Sequence, residues 1–74
     1  MCMRKKYFIK NSVRHERLKR RVTQQEFATI LNVSRQTVVK LEKGDYTPSL
    51  LLALDISRYL NEPVENLFFI DRLH

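Results

Sequence analysis

The chain has 74 residues and a formal net charge of +6, which predicts a single domain over 1–74 with a thin hydrophobic core. Its one cysteine, Cys2, excludes an intrachain disulfide, and with no signal-peptide pattern it indicates a reducing, cytoplasmic setting. The longest apolar run, residues 50–54, is far shorter than the ~20 residues that cross a bilayer, so no membrane span is predicted.

The positive charge is concentrated in the first half of the chain. Residues 1–37 contain ten Lys or Arg and two acidic residues, whereas residues 38–74 contain four and six. This asymmetry predicts a polyanionic partner, of which nucleic acid is favoured over an anionic membrane surface. The alternative is that the charge forms a solvated face that only keeps the protein soluble. The basic stretch 4–21 lacks the strong apolar face of membrane-surface helices, which favours nucleic acid.

The N-terminal part is predicted to form a short β-prone piece, residues 5–10, followed by a helix. Asn11 or Ser12 can cap this helix, which runs to about Arg20. The residues expected on its inward side are Val13, either Arg17 or Leu18, and as a further candidate His15.

A second helix begins with a capping box at Thr23-Gln24-Gln25-Glu26, in which the Thr23 hydroxyl and the Glu26 carboxylate each accept from the other residue's amide. Asn32 follows the helix and suits the left-handed backbone that ends one. The buried stripe is predicted to be Phe27, Ala28 and Leu31.

Ser34 caps a third helix that Gly44 ends. Val38 and Leu41 lie on one side of this helix at helical spacing. The opposite side carries Gln36, Lys40 and Lys43. With small Ala28 at the helix crossing and Asn32 at the tight corner, residues 23–43 predict a helix-turn-helix.

Ser49 is predicted to cap a fourth helix that runs to Leu60, with Asn61 as its stop. Pro63 suits the first position of a short last helix ending near Leu67. One face of the fourth helix is assigned to Leu50, Ala53, Ile56 and Leu60, and the extra apolar residues are Leu51, Leu52 and Leu54. A helix that is apolar around most of its circumference is expected to be buried on most sides, and a second copy of the chain would bury it, which predicts a homodimer. The alternative is that one of these leucines is simply exposed on its own, which is common.

Four motifs occur together in order: TQQEFA (23–28), NVSRQTV (32–38), LEKG (41–44) and PSL (48–50). In their order and spacing the chain resembles the Cro/lambda-repressor (Xre) family of helix-turn-helix regulators over about residues 11–68, and among them the short stand-alone members. Two positions depart from the family pattern. Asn32 stands where Gly is usual, and Arg21 stands where Gly often precedes the second helix.

The resemblance implies an all-α, five-helix lambda-repressor-like domain with the third helix in the major groove of double-stranded DNA. The implied base contacts are Arg35, Gln36, Thr37 and Lys40. The implied phosphate contacts are Thr23, Gln24, Lys43 and Tyr46. The chemistry agrees, since Arg can pair with guanine O6 and N7 and Gln with adenine N6 and N7, and solvation is the plain alternative for each exposed side chain.

The resemblance also pairs Arg17 with Glu42. A helical wheel places Glu42 on the inner flank of the third helix, about 40° from Val38, where a lone charge is costly. These two residues are therefore interpreted as a structural ion pair and not as part of a site.

The predicted dimer interface contains Leu51, Leu54 and Phe69. Because such a dimer is two-fold symmetric, its DNA operator is predicted to be roughly palindromic. Half-site centres are then expected about 10–10.5 base pairs apart. A further hypothesis pairs 5–9 with 68–72 in a small antiparallel sheet formed by the N-terminal extension (1–10) and the C-terminal extension (68–74).

The residue inventory favours a binding protein over an enzyme. His15 and His74 have no partners at metal-ligand spacing, one glycine cannot build a phosphate-cradling loop, and no Ser-His-Asp arrangement is indicated. No catalytic residue, metal, cofactor or small-molecule ligand is predicted. The leading hypothesis is a nucleoid-associated DNA-binding repressor, and the alternative is an antitoxin-like or partner-binding module with the same fold.

Overall fold

The computed structural model describes residues 7–72, which form five helices and a two-stranded sheet. In chain order the elements are β1 (Tyr7–Asn11), α1 (Val13–Lys19), α2 (Gln24–Leu31), α3 (Arg35–Lys43), α4 (Leu50–Leu60), α5 (Val64–Leu67) and β2 (Phe68–Arg72). The predicted fold class is confirmed. Cys2, His74 and residues 5–6 of the predicted N-terminal strand lie outside the described range.

Three of the helices begin at the predicted caps. The side-chain hydroxyls of Thr23, Ser34 and Ser49 accept from the amides of Glu26, Thr37 and Leu52, respectively. The Glu26 carboxylate also accepts from the Thr23 amide at 2.8 Å, which completes the predicted capping box. Each cap satisfies amides at the helix start that have no partner within the helix.

The same three helices end at the predicted stops, where the backbone turns left-handed. The φ angles are 59° at Asn32, 83° at Gly44 and 57° at Asn61. Gly has no Cβ to clash in this region, and Asn tolerates it better than most residues, so these residue types end the helices at low cost.

The first helix is capped by the side chain of one of its two predicted residues, whereas the last helix starts differently from the prediction. Asn11 caps α1 from one position earlier, since its Oδ1 accepts from the Val13 amide at 3.1 Å, while the Ser12 hydroxyl donates to the Asn66 carbonyl. Pro63 precedes α5 with an extended ψ of 151° and is the cap, not the first helical residue.

The core lies between the five helices. Its buried members are Val13, Phe27, Ala28, Val38, Leu41, Leu52, Ile56, Leu60 and Leu67. Val22, Leu31, Val33 and Phe68 pack against them and are partly buried. Of the residues considered for the inward side of α1, Arg17 is buried, whereas Leu18 and His15 are exposed.

The assignment of the buried face of α4 was wrong at two positions. Leu50 is 73% exposed, whereas Leu52 is buried beside Ile56. At 3.6 residues per turn Leu52 lies about 40° from Ile56 around the helix, while Leu50 lies about 120° away. The buried stripe of α4 is therefore Leu52, Ala53, Ile56 and Leu60.

The hypothesis of a terminal sheet is confirmed, but each residue of β2 pairs with a residue two positions later in the chain than predicted. β1 and β2 pair antiparallel from Tyr7 opposite Arg72 to Asn11 opposite Phe68. The Ser12 amide donates to the Leu67 carbonyl at 2.9 Å. This bond joins the residue after β1 to the residue before β2 and so extends their pairing by one step.

We expect Leu52→Ala to lower the free energy of unfolding by about 2–5 kcal/mol, because it leaves a cavity beside Ile56. The matched control Leu50→Ala changes an exposed side chain and is expected to shift it by less than about 0.5 kcal/mol. Urea unfolding followed by circular dichroism measures both. Equal losses in the two variants would contradict the assigned face of α4.

Candidate nucleic-acid interface

The packing of α3 against α2 leaves one side of α3 facing outward. Val38 and Leu41 are buried against the core that contains Phe27 and Ala28. The turn between the helices is closed by the Val33 amide, which donates to the Ala28 carbonyl at 3.0 Å. Because the apolar side of α3 is anchored in this way, its polar side points away from the body of the domain.

The outward side of α3 is basic and polar. Arg35, Gln36, Lys40 and Lys43 are exposed, and none of them makes an ion pair or side-chain hydrogen bond within residues 7–72. The acidic residue of α3, Glu42, has a side chain only 2% exposed. This face therefore presents hydrogen-bond donors and positive charge with no competing carboxylate of its own helix.

Thr37 lies at the edge of this face. It is half-buried, and its hydroxyl lies 2.9 Å from the Ser34 hydroxyl, while its amide donates to the same Ser34 oxygen. The predicted base contact at Thr37 thus belongs to a side chain that already takes part in the cap of α3.

The start of α2 lies beside α3, as the predicted phosphate contacts require. Thr23 is exposed, but the Gln24 side chain turns inward and its Nε2 donates to Glu42 Oε1 at 3.1 Å. The amides of Gln24 and Gln25 belong to the first turn of α2, whose N–H groups have no acceptor within the helix. At this position the backbone, more than the Gln24 side chain, is suited to hold an anion.

Tyr46 lies in the loop after α3 and is 40% exposed. Lys43 occupies the last turn of α3, where a positive charge is favoured by the helix dipole. The structure therefore places these two predicted phosphate contacts together at the C-terminal end of α3.

The predicted pair of Arg17 and Glu42 is present. Arg17 Nε donates to Glu42 Oε2 at 2.6 Å and Nη2 donates to Oε1 at 3.1 Å, with the two side chains 5% and 2% exposed. Arg17 Nη1 also donates to the Val22 carbonyl at 2.7 Å. With Gln24 as a further donor to Glu42, this network joins α1, the α1–α2 turn, α2 and α3. The sequence holds no signal for the part played by Gln24, because it depends on how α2 and α3 pack.

A second arginine, Arg20 in the turn after α1, also makes structural hydrogen bonds. Arg20 Nη1 donates to Glu16 Oε1 at 3.0 Å, and Arg20 Nη2 donates to the Leu60 carbonyl. The hydrogen bond from Arg20 lowers the pKa of Glu16 below its ordinary value, against the opposing effect of desolvation. Arg20 is thus a structural residue that ties the end of α1 to the end of α4.

Within residues 7–72 no group of three or more His, Cys, Asp or Glu side chains is placed to hold a metal ion. None of the helices in that range has the length and apolarity needed to cross a membrane.

A comparison with protein families decides the family. A family model described as Helix-turn-helix matches residues 13–67, the stretch that holds all five helices. The chain belongs to this helix-turn-helix family, which is of the Xre/Cro type. The resemblance inferred from the four motifs is therefore confirmed.

Relatives of this helix-turn-helix chain occur in archaea and bacteria. An uncharacterized HTH-type transcriptional regulator of Methanocaldococcus jannaschii is 38% identical over 85% of this chain and 96% of its own length. One from Bacillus subtilis, YgzD, is 40% identical over the same shares of the two chains. The crystal structure of the transcriptional regulator VanUg shares the fold, with a TM-score of 0.74, 22% identity and coverage of 92% of this chain and 91% of the other.

We expect Arg17→Met to lower the free energy of unfolding by about 3–5 kcal/mol, because it leaves the Glu42 carboxylate buried without its partner. Arg14→Met removes the same charge from an exposed position of α1 and is expected to cost less than about 0.5 kcal/mol. Urea unfolding measures both variants.

The double variant Arg17→Met with Glu42→Met is expected to recover much of the lost stability, because no charge is then left buried. A single Arg17→Met variant as stable as the wild type would contradict the structural role of the pair.

Proposed function

We propose that this helix-turn-helix protein is a transcriptional repressor that binds a palindromic DNA operator as a homodimer. The observation that carries the proposal is the outward side of α3, where exposed donors have no partner within residues 7–72 while the opposite side is fixed in the core. A helix held in this manner can enter the major groove with its first residues at the base edges.

Arg35, Gln36 and Lys40 are the principal base readers in this proposal. They are exposed on α3, and Arg35 and Gln36 lie in its first turn, the part of a reading helix that reaches deepest into the groove. Arg35 suits guanine and Gln36 suits adenine. Thr37 is proposed as a fourth, peripheral contact because its hydroxyl is shared with Ser34.

Phosphates on either side of the groove are assigned to the two ends of the motif. At the start of α2 the Thr23 hydroxyl and the Gln24 amide are the proposed donors, since the Gln24 side chain is bonded to Glu42. At the far end, Lys43 and Tyr46 are the proposed donors to the other stretch of backbone. These contacts position the domain without reading sequence.

The proposed dimer surface lies on α4 and β2. Leu51, Leu54 and Phe69 are 71%, 47% and 44% exposed, and Ile70, which neighbours Phe69, is 71% exposed. A second copy is the proposed cover, because one reading helix contacts too few base pairs to specify an operator and two-fold symmetry doubles the site. Repression is the proposed outcome, since it requires only occupancy of a promoter.

The same apolar surface supports a second candidate function. If α4 and β2 bind a different protein, the fold would act as a partner-binding module in which DNA contact is secondary. The two functions differ in whether the protein selects a DNA sequence.

Selection of binding sites from random duplexes is expected to enrich one palindrome with half-site centres about 10–10.5 base pairs apart. Gln36→Ala is expected to relax one base preference with little change in the salt dependence of binding, because a base contact releases no counterion. Lys43→Ala is the matched control, and it should weaken all duplexes alike and flatten the salt slope by about one unit per protomer.

Uniform weak binding with no enriched sequence would contradict the repressor proposal and favour the partner-binding module. An enriched sequence that Gln36→Ala leaves unchanged would contradict the assignment of Gln36 as a reader.

Leu54→Glu is expected to convert a dimer into a monomer, because it places two charges in the proposed apolar interface. Ile30→Glu is the matched control, since Ile30 is 48% exposed against 47% for Leu54 but lies on α2. Sedimentation equilibrium measures the oligomeric state of both. A wild-type monomer at all concentrations, or a dimer lost equally in both variants, would contradict the proposed surface.

A further inference from the structure

The arginines of this chain fall into two structural groups. The six whose side chains the structure describes are Arg14, Arg17, Arg20, Arg21, Arg35 and Arg58. Arg17 and Arg20 are bonded to Glu42 and Glu16. The other four are exposed and make no ion pair within residues 7–72, so their charge is not used to hold that part of the fold together.

Three of the four unpaired arginines converge on one surface depression. Arg14 from α1, Arg21 from the α1–α2 turn and Arg35 from the start of α3 line a cleft of about 530 Å³, together with Thr23 and Gln24 at the start of α2. We call this depression the arginine cleft. No acidic side chain lines it, and Arg17, which also lines it, is already paired with Glu42.

The backbone at Arg21 is the second unusual feature of the cleft. Arg21 has a φ of 58°, in the left-handed region where glycine is the low-cost residue. The turn is held in this shape by the Arg17 guanidinium, which donates to the Val22 carbonyl at 2.7 Å. Residues held in such strained backbone conformations cluster at functional and ligand-binding sites.

We propose that Arg14 and Arg21 bind phosphates of the DNA backbone beside the bases that α3 reads. This inference rests on the proposed function and extends it beyond the helix-turn-helix motif to α1. A guanidinium is suited to phosphate because it donates two parallel hydrogen bonds to it. The cleft also adjoins the first amides of α2, which favour an anion, so both sets of donors face one stretch of backbone.

The position of Arg35 favours a polymer over a small anion as the occupant. Arg35 lines the cleft and is also the first residue of α3, so the cleft is continuous with the outward side of the reading helix. A strand whose bases meet α3 therefore carries its phosphates past Arg14 and Arg21. Sequence reasoning placed the positive charge in residues 1–37 but did not assign either residue, because their convergence depends on the α1–α2 turn.

The test compares Arg21→Gly, Arg14→Gln and the control Arg58→Gln, which removes an unpaired arginine that lies on α4 outside the cleft. Affinity is measured across salt concentrations for the selected operator and for an unrelated duplex. Each cleft variant is expected to lower the magnitude of the salt slope by about 0.9 per protomer, so that for each protomer its loss of affinity relative to the wild type is about eightfold larger at 0.1 M than at 1 M salt. Both duplexes should be affected alike, and Arg58→Gln should change neither.

Arg21→Gly also separates binding from folding. Its midpoint of thermal unfolding is expected to equal or exceed that of the wild type, because glycine relieves the left-handed strain, while its affinity for DNA falls. A variant that loses stability and affinity together would overturn the proposal, because Arg21 would then be a structural residue.

The unrelated duplex keeps this inference separable from the proposed function. If no sequence is enriched, the repressor proposal fails, yet a lower salt slope on the unrelated duplex still supports the cleft. If a palindrome is enriched but the slopes of both cleft variants match the wild type, the cleft proposal alone is overturned. Equal salt slopes for Arg21→Gly and the wild type on DNA, together with a thermal stabilisation by millimolar inorganic phosphate that only the wild type shows, overturn it in favour of a free anion.

Discussion

The buried pair of Arg17 and Glu42 lies where α1, α2 and α3 meet, and the arrangement of the helix-turn-helix depends on it. Arg17 joins α1 to α3 through two hydrogen bonds to Glu42 and to the following turn through a third, to the Val22 carbonyl. Gln24 adds α2 to the same carboxylate. Burying two charges is costly unless their hydrogen bonds are satisfied, so the pair strongly disfavours arrangements that separate these helices.

This constraint links the body of the domain to both proposed DNA contacts. Glu42 belongs to α3, and its inward position turns Gln36 and Lys40 to the opposite side. Arg17 fixes the α1–α2 turn and so presents Arg21 to the arginine cleft. One ion pair therefore orients the base-reading face and the proposed phosphate-binding cleft relative to each other, which a protein that contacts bases and backbone together requires.

Much of the fold was predictable from local signals, because helix caps, helix ends and helical spacing depend on residues that are close together in the sequence. Thr23, Asn32 and Gly44 behave as their residue types suggest. Leu50 was misassigned because the fourth helix begins with three successive leucines, and composition alone does not show which of them meets Ile56. Of the candidate site, the exposed side of α3 follows from periodicity, whereas the inward Gln24 side chain and the arginine cleft arise from long-range packing.

Methylation interference with dimethyl sulfate tests most directly the central claim that α3, held by the Arg17–Glu42 pair, reads the major groove. The reagent methylates guanine N7 in the major groove and adenine N3 in the minor groove. The account predicts that methylation at guanine N7 blocks binding in two tracts about 10–10.5 base pairs apart, and that Arg35→Ala removes part of this effect. Interference confined to adenine N3, or absent at every guanine, would contradict it.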